Sequence, residues 1–212
     1  GEIISADSRQ VYKGMDIGTG KVSKKEQKLV RHHLLNVANP KKIFTASDFK
    51  KLAEKAIYDI VNHNKLPIVV GGTGFYIDAL VRNLPMPEVP PNKKLRARLD
   101  KLGIKLLFEK LKKLDPRRAK TIDAKNKVRL IRALEIIDAI GKVPSVNTDY
   151  SLLAADYEVL WLGLKPKNLE KRIKERLDKR LRQGMVKEVR KLLARGVSKK
   201  RLNDFGLEYK WL

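Results

Sequence analysis

Two short polar segments, each placed directly after an apolar stretch, hold the residues best suited to chemistry. The first, Asp7-Ser8-Arg9-Gln10, follows the apolar run Ile3-Ile4-Ser5-Ala6. Open parallel α/β sheets bind ligands beyond the carboxyl ends of their strands, which is where Asp7 is expected. Gln side chains form paired hydrogen bonds with an adenine edge, and Arg side chains pair with phosphate. The residue types therefore fit a nucleotide or nucleic-acid ligand, and a turn-capping Asp7 in a solvated loop is the open alternative.

The second segment is Gly71-Gly72-Thr73, which follows the apolar run Pro67-Ile68-Val69-Val70. Glycines between a strand and a helix permit close backbone approach, and the N–H groups of a helix start favour an anion. The same residues are also typical of an ordinary tight turn, so this segment alone does not decide between a binding site and a turn.

Charge is the property of the composition that points most clearly to a partner. The 212 residues include 48 Lys and Arg against 24 Asp and Glu, a formal net charge of +24. The stretch 92–132 holds sixteen of these basic residues and four acids, which is half of the net charge in about a fifth of the chain. A generally lysine-rich composition would spread the charge evenly, so the concentration favours a polyanionic partner.

Several classes of protein and site are disfavoured by the composition. No apolar run approaches the ~18 residues of a membrane span, and no signal-peptide pattern is visible, so we expect a cytoplasmic protein without a membrane partner. Cysteine is absent, which excludes disulfides and thiolate metal sites. His32 and His33 are adjacent and lack an evident third ligand, so no metal site is predicted.

Strand and helix signals predict that both polar segments lie at the strand ends of one parallel sheet. Thr45-Ala-Ser-Asp48 is a capping box, and the helix after it carries an apolar face up to the strand at Pro67–Val70. A strand, helix and strand in this order predict a parallel pair with a right-handed crossover. A third core strand is predicted at Tyr157–Gly163, from its apolar run. Further helices are predicted at about 23–31, 74–81, 92–101, 103–114, 116–121, 126–140, 168–183 and 185–195.

Four prolines between Pro85 and Pro91 form the clearest linker of the chain. We therefore predict a core α/β region at 1–84, a helical insert at 85–125 that binds the polyanion, and a second core region with C-terminal helices at 126–212. Arg129 and Arg132 fall on one face of the helix that opens the last region.

Two sequence runs closely resemble the tRNA dimethylallyltransferase family, also called isopentenyl-tRNA transferases. These are Ser5-Ala-Asp-Ser-Arg-Gln-Val-Tyr-Lys-Gly-Met-Asp-Ile-Gly-Thr-Gly-Lys21 and Val69-Val-Gly-Gly-Thr-Gly-Phe-Tyr76, and their separation also fits. The resemblance implies a P-loop-NTPase-like, nucleotide-binding α/β fold with a helical insert. It also implies a transferase that moves a dimethylallyl group from its diphosphate to N6 of the adenosine 3′-adjacent to the anticodon.

The resemblance further implies which residues carry the reaction. Asp7 would be the general base that takes the proton from the adenosine amine, after that base has left its stack. Gly74 stands where many relatives carry a bulkier residue. The residues implied to bind the anticodon stem-loop of the tRNA are Asp7, Ser8, Arg9, Gln10, Thr73, Arg96, Val128, Arg129, Leu130, Ile131 and Arg132.

Members of the resembled family carry an earlier strand and a phosphate loop of the G-x-x-x-x-G-K-[ST] type, and the sequence contains no such loop. We therefore expect a chain that is truncated at its N-terminus and inactive by itself. The tail Phe205–Leu212 stops in mid-pattern, so we expect truncation at the C-terminus too, and we expect a monomer. The resemblance implies a Mg²⁺ cofactor held mainly by the phosphate loop and the substrate diphosphate.

Three alternatives stay open at this stage. A prenyltransferase that acts on free adenine nucleotides would share Asp7 but would have no need of the basic insert. A nucleotide kinase of the P-loop class would share the sheet but not the signature Asp7-Ser8-Arg9-Gln10. A non-catalytic RNA-binding fragment would need only the basic surface.

Overall fold

The computed structural model describes residues 1–145 and 157–212, in which short parallel strands alternate with helices and are then followed by further helices. The strands are β1 (Glu2–Ser5), β2 (His32–His33) and β3 (Pro67–Val70). The helices are α1 (Lys24–Leu29), α2 (Ala46–Asn62), α3 (Gly74–Val81), α4 (Lys93–Asp100), α5 (Ile104–Leu114), α6 (Pro116–Thr121), α7 (Lys127–Ile140), α8 (Leu169–Arg182), α9 (Met185–Ala194), α10 (Lys199–Phe205) and α11 (Leu207–Trp211).

The sheet has the order β2-β1-β3, and both pairings are parallel. The register of β1 with β3 runs from Glu2 opposite Pro67 to Ser5 opposite Val70. The two strands therefore end at the same level, and the predicted parallel pair with its intervening helix is confirmed. This register places the loop that begins at Asp7 beside the turn after Val70.

Helix α2 covers one face of the sheet. Its start is fixed by the predicted capping box, in which Thr45 and Asp48 accept each other's backbone N–H groups. One face of α2 is buried against Ile4 and against Tyr76 of α3, whose ring stacks on Phe49 with 4.3 Å between centroids. The buried residues of α2 are Phe49, Ala53, Ala56, Ile57 and Ile60.

Two compact units make up the described residues. Residues 1–83 and 157–212 form the first unit, and residues 84–145 form the second, a helical unit. Helix α7 belongs to the helical unit, whereas the sequence pattern predicts an insert that ends at residue 125. The reason is packing, because Leu130 and Leu134 of α7 lie in one core with Leu107 and Leu111 of α5.

The strand predicted at Tyr157–Gly163 is wrong, since the structure has no strand over these residues. Leu160 is 82% exposed and Leu162 is 85% exposed. In the described residues this run pairs with no strand, and β3 at the edge of the sheet pairs only with β1. Apolar composition favours a strand, but a strand also needs backbone pairing with a neighbour, which composition does not specify.

The C-terminal helices of the first unit pack under the loop that follows β1. Val11, Tyr12 and Met15 of the loop are buried with Val189 of α9 and Phe205 of α10 in one apolar cluster. Helices α10 and α11, which lie outside the helices predicted from the sequence, supply Leu202, Phe205 and Tyr209 to this cluster. None of the helices in residues 1–145 and 157–212 combines the length and apolar character that a bilayer crossing requires.

Candidate functional site

The Asp7 carboxylate is held at the start of the loop after β1. Its Oδ1 accepts the backbone N–H groups of Arg9 at 2.8 Å and Gln10 at 3.2 Å. No described residue donates a hydrogen bond to its second oxygen, Oδ2, and the side chain is half-buried. Asp7 therefore caps the turn with one oxygen, while the other oxygen is available to a ligand.

Ser8 is joined to Thr73 across the ends of β1 and β3. The Ser8 N–H donates to Thr73 Oγ1 at 2.9 Å, and the Thr73 hydroxyl donates to Ser8 Oγ at 3.2 Å. The Thr73 N–H donates to the Ala6 carbonyl at 3.2 Å. The predicted residues Asp7, Ser8 and Thr73 thus share one edge of the sheet, and parallel strand ends are the reason.

Gly71 makes this close approach possible. A Cβ atom at this position would stand 2.1 Å from the Ala6 carbonyl oxygen. A Cβ at Gly72 or Gly74 would meet nothing within 4 Å, so only the first glycine of the turn is required by contact. An alanine at position 74 would therefore fit without a clash.

Arg9 points back toward the C-terminal helices of its own unit. Its Nε donates to the Phe205 carbonyl at 2.6 Å, and its guanidinium lies 6.0 Å from the centre of the Phe205 ring. Gln10 is half-buried, and its carbonyl accepts the Asn36 N–H at 3.4 Å. Arg9 therefore fixes the loop to α10, a structural contact that its sequence position did not reveal.

The Lys21 side chain is buried beneath the loop and bonds to it. Its ammonium donates to the Tyr12 carbonyl, to Asp16 Oδ1 and to Asn36 Oδ1, each at 2.7 Å. The side chain is almost wholly buried, and burial lowers the pKa of Lys21 against the opposing effect of Asp16. The last lysine of the first signature run thus braces the loop, since all three of its donors are in use.

The helical unit holds the other predicted residues. Arg96 donates to Glu135 through Nε at 2.8 Å and through a terminal nitrogen at 2.7 Å, and Arg132 also donates to Glu135. Glu135 additionally accepts the Asn92 N–H at 2.6 Å, and Arg132 donates to the Val89 carbonyl. Arg96 therefore ties α4 to α7 through the buried Glu135 carboxylate, and Arg132 ties Val89 of the proline linker to α7.

Opposing effects set the pKa of Glu135. Burial by itself would raise the pKa of this carboxyl, but the hydrogen bonds from Arg96 and Arg132 outweigh burial and lower the pKa to about 2. Arg96 is 42% exposed and Arg132 is 34% exposed, whereas Glu135 is 1% exposed. Each arginine thus keeps part of its surface toward solvent while its charge is paired.

The stretch from Val128 to Arg132 divides by the helical period. Leu130 and Ile131 are buried in the core of the helical unit, whereas Val128 and Arg129 are exposed. The exposed side chains of this stretch are therefore the ones open to an external ligand.

No three carboxylate or imidazole groups converge as a cation site in residues 1–145 and 157–212. His33 Nε2 lies 2.6 Å from Glu2 Oε2, and His32 Nδ1 lies 2.7 Å from the Val30 carbonyl. The described residues therefore offer no cation site built from three protein ligands, and Mg²⁺ normally relies on one or two carboxylates together with substrate phosphates.

Sequence reasoning missed the residues that hold the loop from below. Glu188 is buried on the apolar face of α9 at helical spacing from Met185 and Leu192, and Tyr209 of α11 donates to it. An acidic residue on an apolar helix face is the signal that could have found Glu188.

The family model of IPP transferases matches residues 10–211 of the chain. The chain is 38% identical over 217 aligned residues to the tRNA dimethylallyltransferase of Alkaliphilus oremlandii, covering 99% of this chain and 69% of that protein. It is 39% identical to the tRNA dimethylallyltransferase of Oceanobacillus iheyensis, covering 92% of this chain and 64% of that protein. The chain therefore spans roughly two thirds of the length of these curated relatives, and it belongs to the IPP transferase family.

Solved structures agree with the sequence matches. The tRNA isopentenylpyrophosphate transferase of Bacillus halodurans matches this chain with a TM-score of 0.60 and 36% identity. The match covers 93% of this chain and 63% of the Bacillus halodurans chain. The homologous transferase of Staphylococcus epidermidis has a TM-score of 0.63 and 33% identity, with coverage of 99% and 70%. The predicted fold class, a P-loop-NTPase-like parallel sheet flanked by helices and with a helical insert, is confirmed, and so is the family.

Proposed function

We propose that this chain is the tRNA-contacting part of a tRNA dimethylallyltransferase, which prenylates N6 of the adenosine 3′-adjacent to the anticodon. The prenyl donor is dimethylallyl diphosphate. Membership of the IPP transferase family supports the reaction class. The observation that carries the residue assignment is the Asp7 carboxylate, which is fixed through one oxygen at the end of β1 and open at the other.

The reaction forms a bond from adenosine N6 to the allylic carbon and breaks the bond from that carbon to the diphosphate oxygen. The diphosphate leaves with the bonding electrons, and the proton from N6 passes to Asp7 Oδ2. The adenine amine becomes acidic as it bonds to carbon, so the base needs position more than basicity. The hydrogen bonds from Arg9 and Gln10 supply that position.

The exposed basic residues of the helical unit are the proposed tRNA surface. Arg129 and the lysines of α4 and α5 face solvent, while Arg96 and Arg132 are paired with Glu135. Partly exposed paired arginines still contribute positive potential and hydrogen-bond donors to phosphate. Exposed lysines act by charge, so the proposed interface recognises tRNA mainly through its backbone.

The test is Asp7→Asn in the whole protein that carries this chain. Asn keeps an oxygen that accepts the two loop N–H groups and removes the proton acceptor, so the turn survives while the base is lost. We expect prenyl transfer to fall by about 10²–10⁴-fold and tRNA affinity to change by less than about threefold.

The matched control is Asp204→Asn, an exposed aspartate of α10. Its transfer rate should equal that of the wild type. A loss of less than about tenfold in Asp7→Asn would contradict the general-base assignment. Tight tRNA binding without any transfer by the wild type would favour the non-catalytic alternative.

A further inference from the structure

Glu188 is a buried carboxylate that the proposed reaction does not use. Its Oε2 accepts the N–H groups of Asp16 and Ile17, each at 2.8 Å. Its Oε1 accepts the Gly18 N–H at 3.1 Å and the Tyr209 hydroxyl at 2.6 Å. Three consecutive loop N–H groups thus donate to one side chain of α9. The Glu188 carboxylate is 8% exposed, and both of its oxygens accept hydrogen bonds.

Tyr209 completes the anchor. Burial, with the neighbouring Glu188 carboxylate, raises the pKa of Tyr209, so the phenol keeps the proton that it donates. Gly18 lies against the Tyr209 ring so closely that a Cβ atom would stand 2.6 Å from the ring. The loop backbone therefore rests directly on α11 and on the Glu188 side chain.

The anchored segment is continuous with the candidate catalytic residues. Between them, Tyr12 and Met15 are buried in the apolar cluster of α9–α11, and the Tyr12 N–H donates to the Arg9 carbonyl at 3.2 Å. Arg9 in turn is bonded to Phe205. The loop from Asp7 to Lys21 is thus attached to the C-terminal helices at Arg9 and again at residues 16–18.

We propose that Glu188 is a positioning residue that fixes this loop on α9–α11 and thereby holds Asp7 in its reactive place. Its effect on catalysis rests on the proposed function, whereas its effect on the loop does not. Glu188 lies under the loop and acts through the amides of residues 16–18. Its loss should therefore lower the rate of the chemical step more than the affinity for tRNA, which depends on many exposed basic residues.

Glu188→Gln is a sharp probe because both carboxylate oxygens accept N–H donors. In either orientation of the Gln amide, its NH₂ group would point at a backbone N–H group of residues 16–18. Two hydrogen-bond donors would then face each other, and neither would have an acceptor. A buried donor without an acceptor is costly, and hydrogen bonds to a charged group are stronger than neutral ones. The substitution changes neither the length nor the shape of the side chain.

The first measurement is amide hydrogen exchange in the 212-residue chain. We expect protection of the Asp16, Ile17 and Gly18 amides to fall by about tenfold or more in Glu188→Gln. The matched control is Glu175→Gln, the same change at an exposed residue of α8, which should leave those amides unchanged. Unchanged protection within α2 shows that the variant is folded.

The second measurement is prenyl transfer to tRNA by the whole protein. We expect kcat to fall by about tenfold or more in Glu188→Gln, with KM for tRNA within about threefold of the wild type. Tyr209→Phe keeps all three amide contacts, so its loop protection should stay within about threefold.

Loop protection in Glu188→Gln equal to that in Glu175→Gln would overturn the proposal, as would a rise in KM with kcat unchanged. If the wild type transfers no prenyl group, the proposed function fails, and the exchange measurement still decides whether Glu188 holds the loop.

Discussion

Gly71→Ala should disrupt the junction between the two signature segments more than an alanine at Gly72 or Gly74 would. The new Cβ would lie 2.1 Å from the Ala6 carbonyl oxygen and 2.3 Å from its carbon. Ordinary contact begins at 3.4 Å, so the two backbones must separate by roughly 1 Å. The neighbouring atoms are backbone, which cannot turn aside as a side chain can.

The cost follows from what this separation breaks. Overpacking costs about 1–3 kcal/mol. The bonds from Thr73 N–H to Ala6 O and from Ser8 N–H to Thr73 Oγ1 are each worth about 0.5–1.5 kcal/mol. We therefore expect the free energy of unfolding to fall by about 2–6 kcal/mol. A displacement of this size at Asp7 should also slow prenyl transfer by about 100-fold.

Gly72→Ala is the matched control, because a Cβ there meets nothing within 4 Å and its φ is not positive. Its free energy of unfolding should stay within about 0.5 kcal/mol of the wild type. Urea unfolding followed by circular dichroism measures the stability, and incorporation of labelled prenyl group into tRNA measures the rate. Equal effects of Gly71→Ala and Gly72→Ala on both quantities would refute the reasoning.

Three further predictions concern the helical unit. Glu135→Gln should lower the free energy of unfolding at neutral pH by about 1–3 kcal/mol, since it removes the buried charge that pairs with two arginines and turns one acceptor oxygen into a donor. Because the pKa of Glu135 is lowered to about 2, its contribution is complete above about pH 4.5 and is lost as the pH falls toward 2. Urea unfolding between pH 5 and 2.5 should therefore show a smaller loss in Glu135→Gln than in the wild type, and equal losses would count against the ion pair. Arg129→Ala should weaken tRNA binding, lower the slope of log affinity against log salt by about one, and leave the unfolding free energy unchanged. Arg96→Ala should also destabilise the unit, and a stable Arg96→Ala variant would contradict the role of Glu135.

Short-range signals predicted most helices well. The pairs Ser23 with Glu26 and Thr45 with Asp48 form the capping boxes that start α1 and α2. Asp115 caps α6 with Pro116 at its first position. These contacts lie within one turn of helix, so the local sequence contains all the residues that make them.

Long-range contacts explain what the sequence analysis missed. The apolar run at 157–163 has strand composition, but its partner would have to come from elsewhere in the chain. The pairing of Arg96 with Glu135 spans 39 residues, and that of Gly18 with Glu188 spans 170. The family resemblance predicts that Arg96 contacts tRNA. The structure shows that Arg96 pairs with Glu135, and the tRNA contact stays a prediction.

The sequence by itself determined the family, the parallel strand pair and the place of Asp7 at a strand end, because these follow from local patterns and two signature runs. Only the tertiary structure decided which oxygen of Asp7 is free, which arginines are paired, and which residues hold the loop. Hydrogen bonds and burial depend on groups brought together from distant positions, and neither composition nor spacing specifies those neighbours.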